Sequence, residues 1–168
     1  MIVAATFTDI PELNRLINSA YRGEASRKGW TTEADLLEGE LRTDDDSIRA
    51  LMKKRGAVIL KFVIDTQIVG CVYLEKQGQD LYLGMLSVAP DAQAQGIGKK
   101  LLIASDDHGK RHGCKRVVMN VISLRAELIE WYERHGYKRN GETNPFPYDD
   151  KFGIAKQPLE FVVLEKNL

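Results

Sequence analysis

The hydrophobic positions near the start of the chain repeat at a helical period. Apolar residues recur every three to four positions between Asp9 and Tyr21, which predicts an amphipathic helix. Asp9 and Glu12 have the spacing of a capping box at the beginning of that helix. An apolar run at residues 2–7 predicts a short strand before it. The polar segment that follows, residues 22–30, predicts a loop.

Two further helices are expected before the pattern changes. The first begins near Thr31 or Thr32 and carries Leu36, Leu37 and Leu41. The second follows the acidic run at residues 44–46, which is expected to form a solvated turn and helix cap, with its charge well placed for the helix dipole.

The middle and the end of the chain alternate between strand and helix patterns. Apolar runs at 58–64 and 68–74 with a tight connection predict an antiparallel hairpin, and 81–88 predicts a third strand. Helical spacing returns from Ile97 to about residues 109–113 and again at 124–135. Strands are predicted between these helices, at 117–121, and at the end, at 161–164. This order is typical of a mixed α/β domain, here a single domain over residues 1–168.

Composition narrows the class of protein. The 168 residues are 43% apolar and 29% charged, enough for one domain with its own core. The 24 basic residues balance the 24 acidic ones, which argues against a nucleic-acid partner. We also expect no signal peptide, no membrane span and no membrane partner. Cys71 and Cys114 form no C-x-x-C pair, so a cytoplasmic, reduced protein is the simplest interpretation.

The most informative segment is the turn at residues 86–102, where two glycines open a helix directly after a strand. Glycine lets the backbone approach a ligand, and a helix N-terminus offers free N–H groups to a pyrophosphate. The P-loop pattern fails because Lys100 replaces its Ser or Thr, and the dinucleotide fingerprint fails at Leu101. Gly96 and Gly98 alone favour a simple turn that happens to use glycine over a phosphate-binding site.

A longer pattern around these glycines is more specific. Gln93, Gly96 and Gly98, after a strand that ends Leu-x-Val-x-Pro, resemble motif A of the GNAT acetyltransferase superfamily, Arg/Gln-x-x-Gly-x-Gly/Ala. Residues 128–137 resemble the family's x-Tyr-Glu-Lys-x-Gly-Phe/Tyr helix end. The resemblance covers almost the whole chain and implies the single-domain GNAT fold, a mixed central sheet with splayed parallel strands and flanking helices.

The resemblance implies that acetyl-coenzyme A is the co-substrate and that an amine attacks its thioester directly, with no metal and no covalent enzyme intermediate. The pantetheine arm would enter between the splayed strands, and the amides of residues 93–99 would hold the pyrophosphate. Arg125 stands where many members have asparagine, and it either reaches the cofactor or is solvated. The expected cofactor residues are Leu86, Ser87, Val88, Gln93, Ala94, Gln95, Gly96, Ile97, Gly98, Lys99 and Arg125.

The same resemblance assigns the acid and leaves the base open. Tyr132 is expected to donate a proton to the departing thiolate, although it also fits a core tyrosine beside Trp131. A tyrosine pKa of about 10 against a thiol pKa of about 8.5 makes full transfer uphill by roughly 2 kcal/mol. Glu75 and Glu33 are candidates for the base, and proton removal through water is equally open.

Acceptor specificity in such proteins usually lies in the loop at residues 21–33. Tyr21 and Trp30 are expected to wall a pocket in which Glu24 or Glu33 attracts a cationic amine. In a second interpretation, Arg22 and Arg27 bind an acceptor's carboxylate. In a third, Trp30 fills the core. Residues 140–158 are expected either to cover the site or to form a dimer contact.

These features predict an N-acetyltransferase that acts on a primary amine of a small molecule or peptide, with a homodimer as one possible assembly. The alternative is a catalytically silent acyl-CoA-binding module with the same fold, which would act by sensing or by partner interaction.

Overall fold

The centre of the protein is a seven-stranded sheet flanked by helices. The structure is a computed structural model that describes residues 1–39, 41–147 and 150–168, without the side chains of Glu24 and Asp150. In chain order the strands are β1 Ile2–Ala4, β2 Leu37–Glu38, β3 Ala57–Ile64, β4 Gln67–Gln77, β5 Asp80–Val88, β6 Arg116–Ile122, β7 Lys138–Pro145, β8 Ile154–Ala155 and β9 Glu160–Asn167. The helices are α1 Ile10–Tyr21, α2 Gly23–Ser26, α3 Asp45–Met52, α4 Ile97–Arg111 and α5 Ala126–Arg134.

The strands of the main sheet follow the order β1-β3-β4-β5-β6-β9-β7, and β2 pairs separately with β8. Every neighbouring pair is antiparallel except β5 and β6, which run parallel. That parallel pairing covers only Asp80 to Tyr82 of β5, opposite Arg116 to Val118 of β6. Both strands continue beyond it without pairing to each other, so a gap opens between them.

A β-bulge in β5 accompanies this divergence. Cys71 of β4 pairs with Ser87, whereas Tyr73 pairs with Gly84, so β5 carries one extra residue at this point. Met85 lies inside the bulge with a φ of +50°, an unusual value for a residue with a side chain. Bulges bend a strand and increase its twist locally. The last residues of β5 are thereby free to turn away from β6.

The two faces of the sheet bury separate cores because successive strand residues point to opposite sides. Val72 and Leu74 belong to the larger core, which also contains Leu101 of α4 and Ile129 of α5. Cys71 and Tyr73 belong to the second core, in which α1 packs through residues such as Leu13 and Ile17. The helices on both faces are therefore fixed to the same central strands.

The predicted mixed α/β architecture is confirmed, as are the hairpin of β3 and β4, helix α4, strand β6 and helix α5. The predicted capping box of Asp9 and Glu12 is wrong. Asp9 instead accepts the Thr6 N–H at 2.8 Å and Lys61 Nζ at 2.9 Å. Glu12 accepts the Ile68 N–H at 2.9 Å, which ties α1 to β4 rather than to its own first turn.

The predicted helix near Thr31 is also wrong. Leu36 and Leu37 donate their N–H groups to the Glu33 carbonyl, which closes a turn, and the chain then enters β2. Residues 23–26 form a short helix inside the predicted loop. Residues 138–145 form strand β7, which the sequence pattern did not indicate. No helix in the described part of the chain combines the length and the hydropathy that crossing a bilayer requires.

Candidate active site

The open edge of β5 faces the gap. The Ala89 N–H donates to the Val69 carbonyl of β4, so Val88, one residue earlier, directs its carbonyl to the other side of the strand. Gln93 Nε2 donates to that carbonyl at 3.0 Å. The Leu86 carbonyl accepts a hydrogen bond from the Tyr21 hydroxyl. Side chains of the protein therefore already bind both carbonyls at this edge.

The glycine turn follows β5 and leads into α4. Ala94 and Gly96 both have left-handed backbone angles, with φ of +65° and +79°. The Lys100 N–H donates to the Gly96 carbonyl and begins the helical ladder, so the N–H groups of residues 97–99 lie before it, without intrahelical partners. Such a terminus attracts anions through these N–H groups and the helix dipole.

Gln93 ties the glycine turn to the loop at residues 29–31. Its Oε1 accepts the Trp30 N–H at 2.8 Å, and its Nε2 donates to Thr31 Oγ1 at 2.8 Å as well as to Val88. Gly29 leaves the room for this contact, because a Cβ there would lie 2.2 Å from Gln93 Oε1. The Gln93 side chain therefore holds the two loops together rather than facing a ligand.

A cleft of about 440 Å³ runs along the turn and the start of α5. Trp30 and Trp131 both line it, and their rings contact each other with centroids 6.0 Å apart. Lys99, Arg134 and His135 bring basic groups to its wall. Of the predicted cofactor residues, the cleft is lined by Leu86, Val88, Gln93, Ala94, Gly96, Ile97, Gly98 and Lys99.

Three predicted cofactor residues lie outside the described lining of this cleft. Ser87 is buried, and its hydroxyl donates to the Met85 carbonyl at 3.0 Å. The Gln95 side chain is exposed. Arg125 lies at the far side of Tyr132, where it lines a smaller cavity of about 70 Å³. Trp30 both packs against the larger core and lines the cleft, which combines two of its expected roles.

Tyr132 separates the two cavities and lines both. It projects from α5 and is only 5% exposed. Among the described residues its hydroxyl takes part in no hydrogen bond, and the oxygen keeps some accessible surface. Burial raises the pKa of Tyr132 well above the usual value of 10. The result is a protonated, unengaged hydroxyl between two cavities.

A buried cluster of charges lies beside the smaller cavity, with Glu33 and Arg125 in the wall of that cavity. Glu33 accepts Arg22 Nε at 3.0 Å through one oxygen and Arg125 at 3.4 Å through the other. Arg22 also donates to the carbonyls of Leu41 and Phe152. Both oxygens of Glu33, a predicted base, are thus engaged by guanidinium groups.

Tyr21 lies between this cluster and the cleft. Its hydroxyl donates to Leu86, and burial raises its pKa to about 12. The guanidinium carbons of Arg125 and Arg42 stand 5.7 Å and 5.9 Å from its ring centroid. Tyr21, which was expected to wall a pocket, therefore lines both cavities and contacts groups on both sides of the site.

The other predicted residues lie away from the two cavities. Glu75 accepts hydrogen bonds from the Tyr73 hydroxyl and from Gln77, and the bond from Tyr73 is the main reason that its pKa is lowered. Glu75 does not belong to the described lining of either cavity. Arg27 pairs with Asp35 at 3.1 Å on the surface. The side chain of Glu24 lies outside the part of the chain that the structure describes.

Sequence reasoning missed Arg42. It is partly buried and lines the smaller cavity, and it directly follows the segment that was predicted to be a helix carrying Leu36, Leu37 and Leu41. No motif marks it, because its position depends on the turn at residues 33–37 and on contacts with Tyr21, which is distant in sequence.

Comparison with known proteins identifies relatives of this chain. The model of the acetyltransferase (GNAT) family matches residues 11–137, more than half of the chain. A probable N-acetyltransferase, camello, of Xenopus laevis is 34% identical over 80 residues, which are 46% of this chain and 36% of that protein. The chain spans less than half the length of the curated relatives it matches.

Solved structures share the fold at low identity. A ribosomal-protein-alanine N-acetyltransferase from Brucella melitensis superimposes with a TM-score of 0.74 at 19% identity, over 100% of this chain and 99% of that one. A PaiA N-acetyltransferase from Thermoplasma acidophilum, crystallised with coenzyme A, gives a TM-score of 0.71 at 14% identity, over 100% and 98% of the two chains.

Proposed function

This chain belongs to the acetyltransferase (GNAT) family, and we propose that it transfers the acetyl group of acetyl-coenzyme A to a primary amine of a small molecule or peptide. The observation that carries the proposal is the Tyr132 hydroxyl, protonated and unengaged among the described residues, between a cleft with an anion-binding terminus and a second cavity. One cavity would hold the thioester and the other the amine.

The described residues fit coenzyme A at the larger cleft. The N–H groups at the start of α4 and the basic side chains of Lys99 and Arg134 suit its pyrophosphate. The indoles of Trp30 and Trp131 provide apolar walls. When bound, acetyl-coenzyme A supplies the activated thioester. A relative of the same fold was crystallised with coenzyme A, which supports this assignment.

In the reaction, the amine nitrogen forms a bond to the acetyl carbon while the bond from that carbon to sulfur breaks. The amine loses one proton, and the departing sulfur finally gains one. For the free groups, complete proton transfer from tyrosine to a thiolate is unfavourable by roughly 2 kcal/mol. Burial raises the pKa of Tyr132, so the transfer is still less favourable here. Tyr132 therefore acts mainly by a hydrogen bond that strengthens as charge develops on sulfur.

Removal of the amine's proton is best served by water in the smaller cavity. Glu33 holds two arginines with its two oxygens, and Glu75 lies outside the described walls of both cavities. Water at the open part of the site can carry the proton to solvent.

The buried thiols of Cys71 and Cys114, which form no disulfide, suit a reducing compartment such as the cytoplasm, where we propose that the protein acts.

One observation favours the alternative of a silent acyl-CoA-binding module. Glu33 and Glu75, the two candidate bases, are both engaged by other side chains, and Glu75 lies outside the described lining of both cavities. An amine bound here would lose its proton without the help of a carboxylate base. Binding without transfer would be the signature of this alternative.

The test is thiol release from acetyl-coenzyme A in the presence of amino acids, polyamines, aminoglycosides and short peptides, with calorimetric titration of coenzyme A alongside. Release that depends on an acceptor, with a product heavier by one acetyl group in mass spectrometry, would support the transferase. Tight binding of coenzyme A without release by any acceptor would favour the silent module. Absence of binding would refute both.

A further inference from the structure

Two adjoining cavities lie on the side of Tyr132 opposite the large cleft. The first, of about 70 Å³, contains Tyr132 in its wall. The second is larger, about 240 Å³. The two share Glu33, Arg42, Ile122 and Phe161 as lining residues. A molecule that fills both cavities would therefore reach Tyr132 from this side.

The charges of these walls do not balance. Among the described lining residues, Arg22, Arg42 and Arg125 stand against the single carboxylate of Glu33, a formal excess of two positive charges. Arg22 and Arg125 are both held by Glu33 and by backbone carbonyls. Their positions are fixed, but one glutamate neutralises only one of them.

Arg42 is the arginine that is left to bind a ligand. Within residues 1–39, 41–147 and 150–168, its guanidinium has no carboxylate or hydrogen-bond partner, and its guanidinium carbon lies over the Tyr21 ring, 5.9 Å from the ring centroid. It is partly buried and lines both cavities. A partly buried guanidinium with free donors favours an anion that can accept two parallel hydrogen bonds, as a carboxylate does.

We propose that the acceptor is an amino acid or a similar amine that carries a carboxylate, and that Arg42 binds this carboxylate. The inference rests on the proposed function, since it names the substrate class of the same site. The amine would lie in the smaller cavity near Tyr132, while the carboxylate meets Arg42 where the two cavities join.

The same walls disfavour polycationic acceptors. A polyamine or aminoglycoside would bring its remaining positive charges next to the unbalanced arginines, where like charges repel each other. The cavity of about 240 Å³ is otherwise apolar, with Phe146, Phe152 and Phe161 in its wall. An apolar side chain on the amino acid fits this wall better than a charged one.

The decisive experiment uses three acceptors that each carry the same phenyl group and a primary amine: phenylalanine, phenylalaninamide and phenethylamine. Only the first carries a carboxylate. We expect its KM to be at least about tenfold lower than that of the other two, the scale of one charge-assisted hydrogen-bonded pair. Equal KM values for the three amines would overturn the inference and leave the proposed transferase intact.

The matching variant is Arg42→Gln, with Arg42→Lys to keep the charge and Arg15→Gln, at an exposed position of α1, as the control. Arg42→Gln should raise the KM for phenylalanine about tenfold or more, without changing the KM for acetyl-coenzyme A or for phenethylamine. Arg42→Lys should recover part of the loss, and Arg15→Gln should match the wild type. A KM for phenylalanine unchanged by Arg42→Gln would contradict the assignment.

Direct titration of phenylalanine into the protein saturated with coenzyme A separates this inference from the proposed function. Binding that Arg42→Gln abolishes, without turnover of any amine, would support the carboxylate site and refute the transfer. Turnover of amines without any binding of phenylalanine would refute the carboxylate site alone.

Discussion

At the scale of single residues, the hydroxyl of Tyr132 is the group on which the proposed chemistry depends. We predict that Tyr132→Phe lowers kcat for acetyl transfer about 100-fold, the usual effect of losing one hydrogen bond to a charge that develops in the transition state. The KM for acetyl-coenzyme A should change little, because the aromatic ring that lines the cleft remains. Steady-state kinetics with the best acceptor provides the measurement.

Tyr137 is the matched control for this substitution. Its ring stacks edge-on with that of Tyr132 at 5.7 Å, and its buried hydroxyl has no hydrogen-bond partner among the described residues. Tyr137→Phe removes the same atom from a neighbouring ring, and it should leave kcat unchanged and stability equal or slightly higher. If both variants lost activity to the same degree, packing rather than the hydrogen bond of the Tyr132 hydroxyl would explain the effect of Tyr132→Phe.

Individual residues also show the limits of sequence reasoning about the site. The motif placed Gly96, Gly98 and Tyr132 at the cleft because the local backbone and the helical period fix their positions. The side chain of Gln93, however, is satisfied by Trp30, Thr31 and Val88. Arg42 carries no motif at all. Partners of polar side chains depend on segments far apart in the chain, which no local pattern records.

At the scale of elements, the N-terminus of α4 depends on the left-handed conformation of Gly96. A Cβ at this position would meet nothing within 4 Å, so Gly96→Ala acts through the backbone alone. We predict that Gly96→Ala lowers the free energy of unfolding by about 1–2 kcal/mol. It should also raise the KM for acetyl-coenzyme A several-fold, since the N–H groups of residues 97–99 would turn away from the phosphates.

Gly113 offers a control at the other end of the same helix. Its φ is +74° and its Cβ position is equally open. Gly113→Ala should therefore cost about the same stability in urea denaturation without changing the KM for acetyl-coenzyme A. An equal rise of KM in both variants would mean that general destabilisation, not the geometry of the turn, sets the affinity.

The cap of α3 gives a pH-dependent prediction. The Asp44 carboxylate accepts hydrogen bonds from Lys151 Nζ and the Ser47 N–H, and these lower its pKa from 3.8 to about 2. A depressed folded pKa contributes stability that is present above about pH 4 and is lost as the pH falls towards 2. We predict that Asp44→Ala costs about 1 kcal/mol at pH 7, the usual effect of losing an N-cap.

The control is Asp46→Ala, which removes an exposed charge from the first turn of the same helix. Urea denaturation of both variants at pH 7 and pH 2.5 isolates the cap from the helix dipole. The difference between Asp44→Ala and Asp46→Ala should shrink at pH 2.5. A difference that stays constant with pH would contradict the assigned role of the Asp44 carboxylate.

Elements with a strong local period were predictable, and those made by distant pairing were not. α4 and the hairpin of β3 and β4 have clear apolar patterns and short connections. Residues 31–38 have helical spacing, yet Leu37 pairs with Ala155 and Glu38 with Ile154, more than 100 residues away. β7 is exposed along almost its whole length, so its sequence lacks the alternation that predicts a strand.

At the scale of the whole molecule, the proposed site joins parts of the chain that pack on opposite faces of the sheet. Tyr21 comes from α1 and the second core, whereas Tyr132 comes from α5 and the larger core. At the gap between β5 and β6, residues from both cores line the same cavities. Occupation of the site should therefore stabilise the entire fold and not only the loops that touch the ligand.

We predict that coenzyme A at about 100 times its Kd stabilises the protein by about 2.7 kcal/mol through binding to the folded state alone. For a chain of this length, that corresponds to a rise of Tm of roughly 5–10 °C in a thermal-shift assay. Tyr132→Phe should show the same rise because the hydroxyl acts on the reaction, whereas Gly96→Ala should show a smaller one at the same concentration. A Tm that does not respond to coenzyme A in the wild-type protein would refute binding at the cleft.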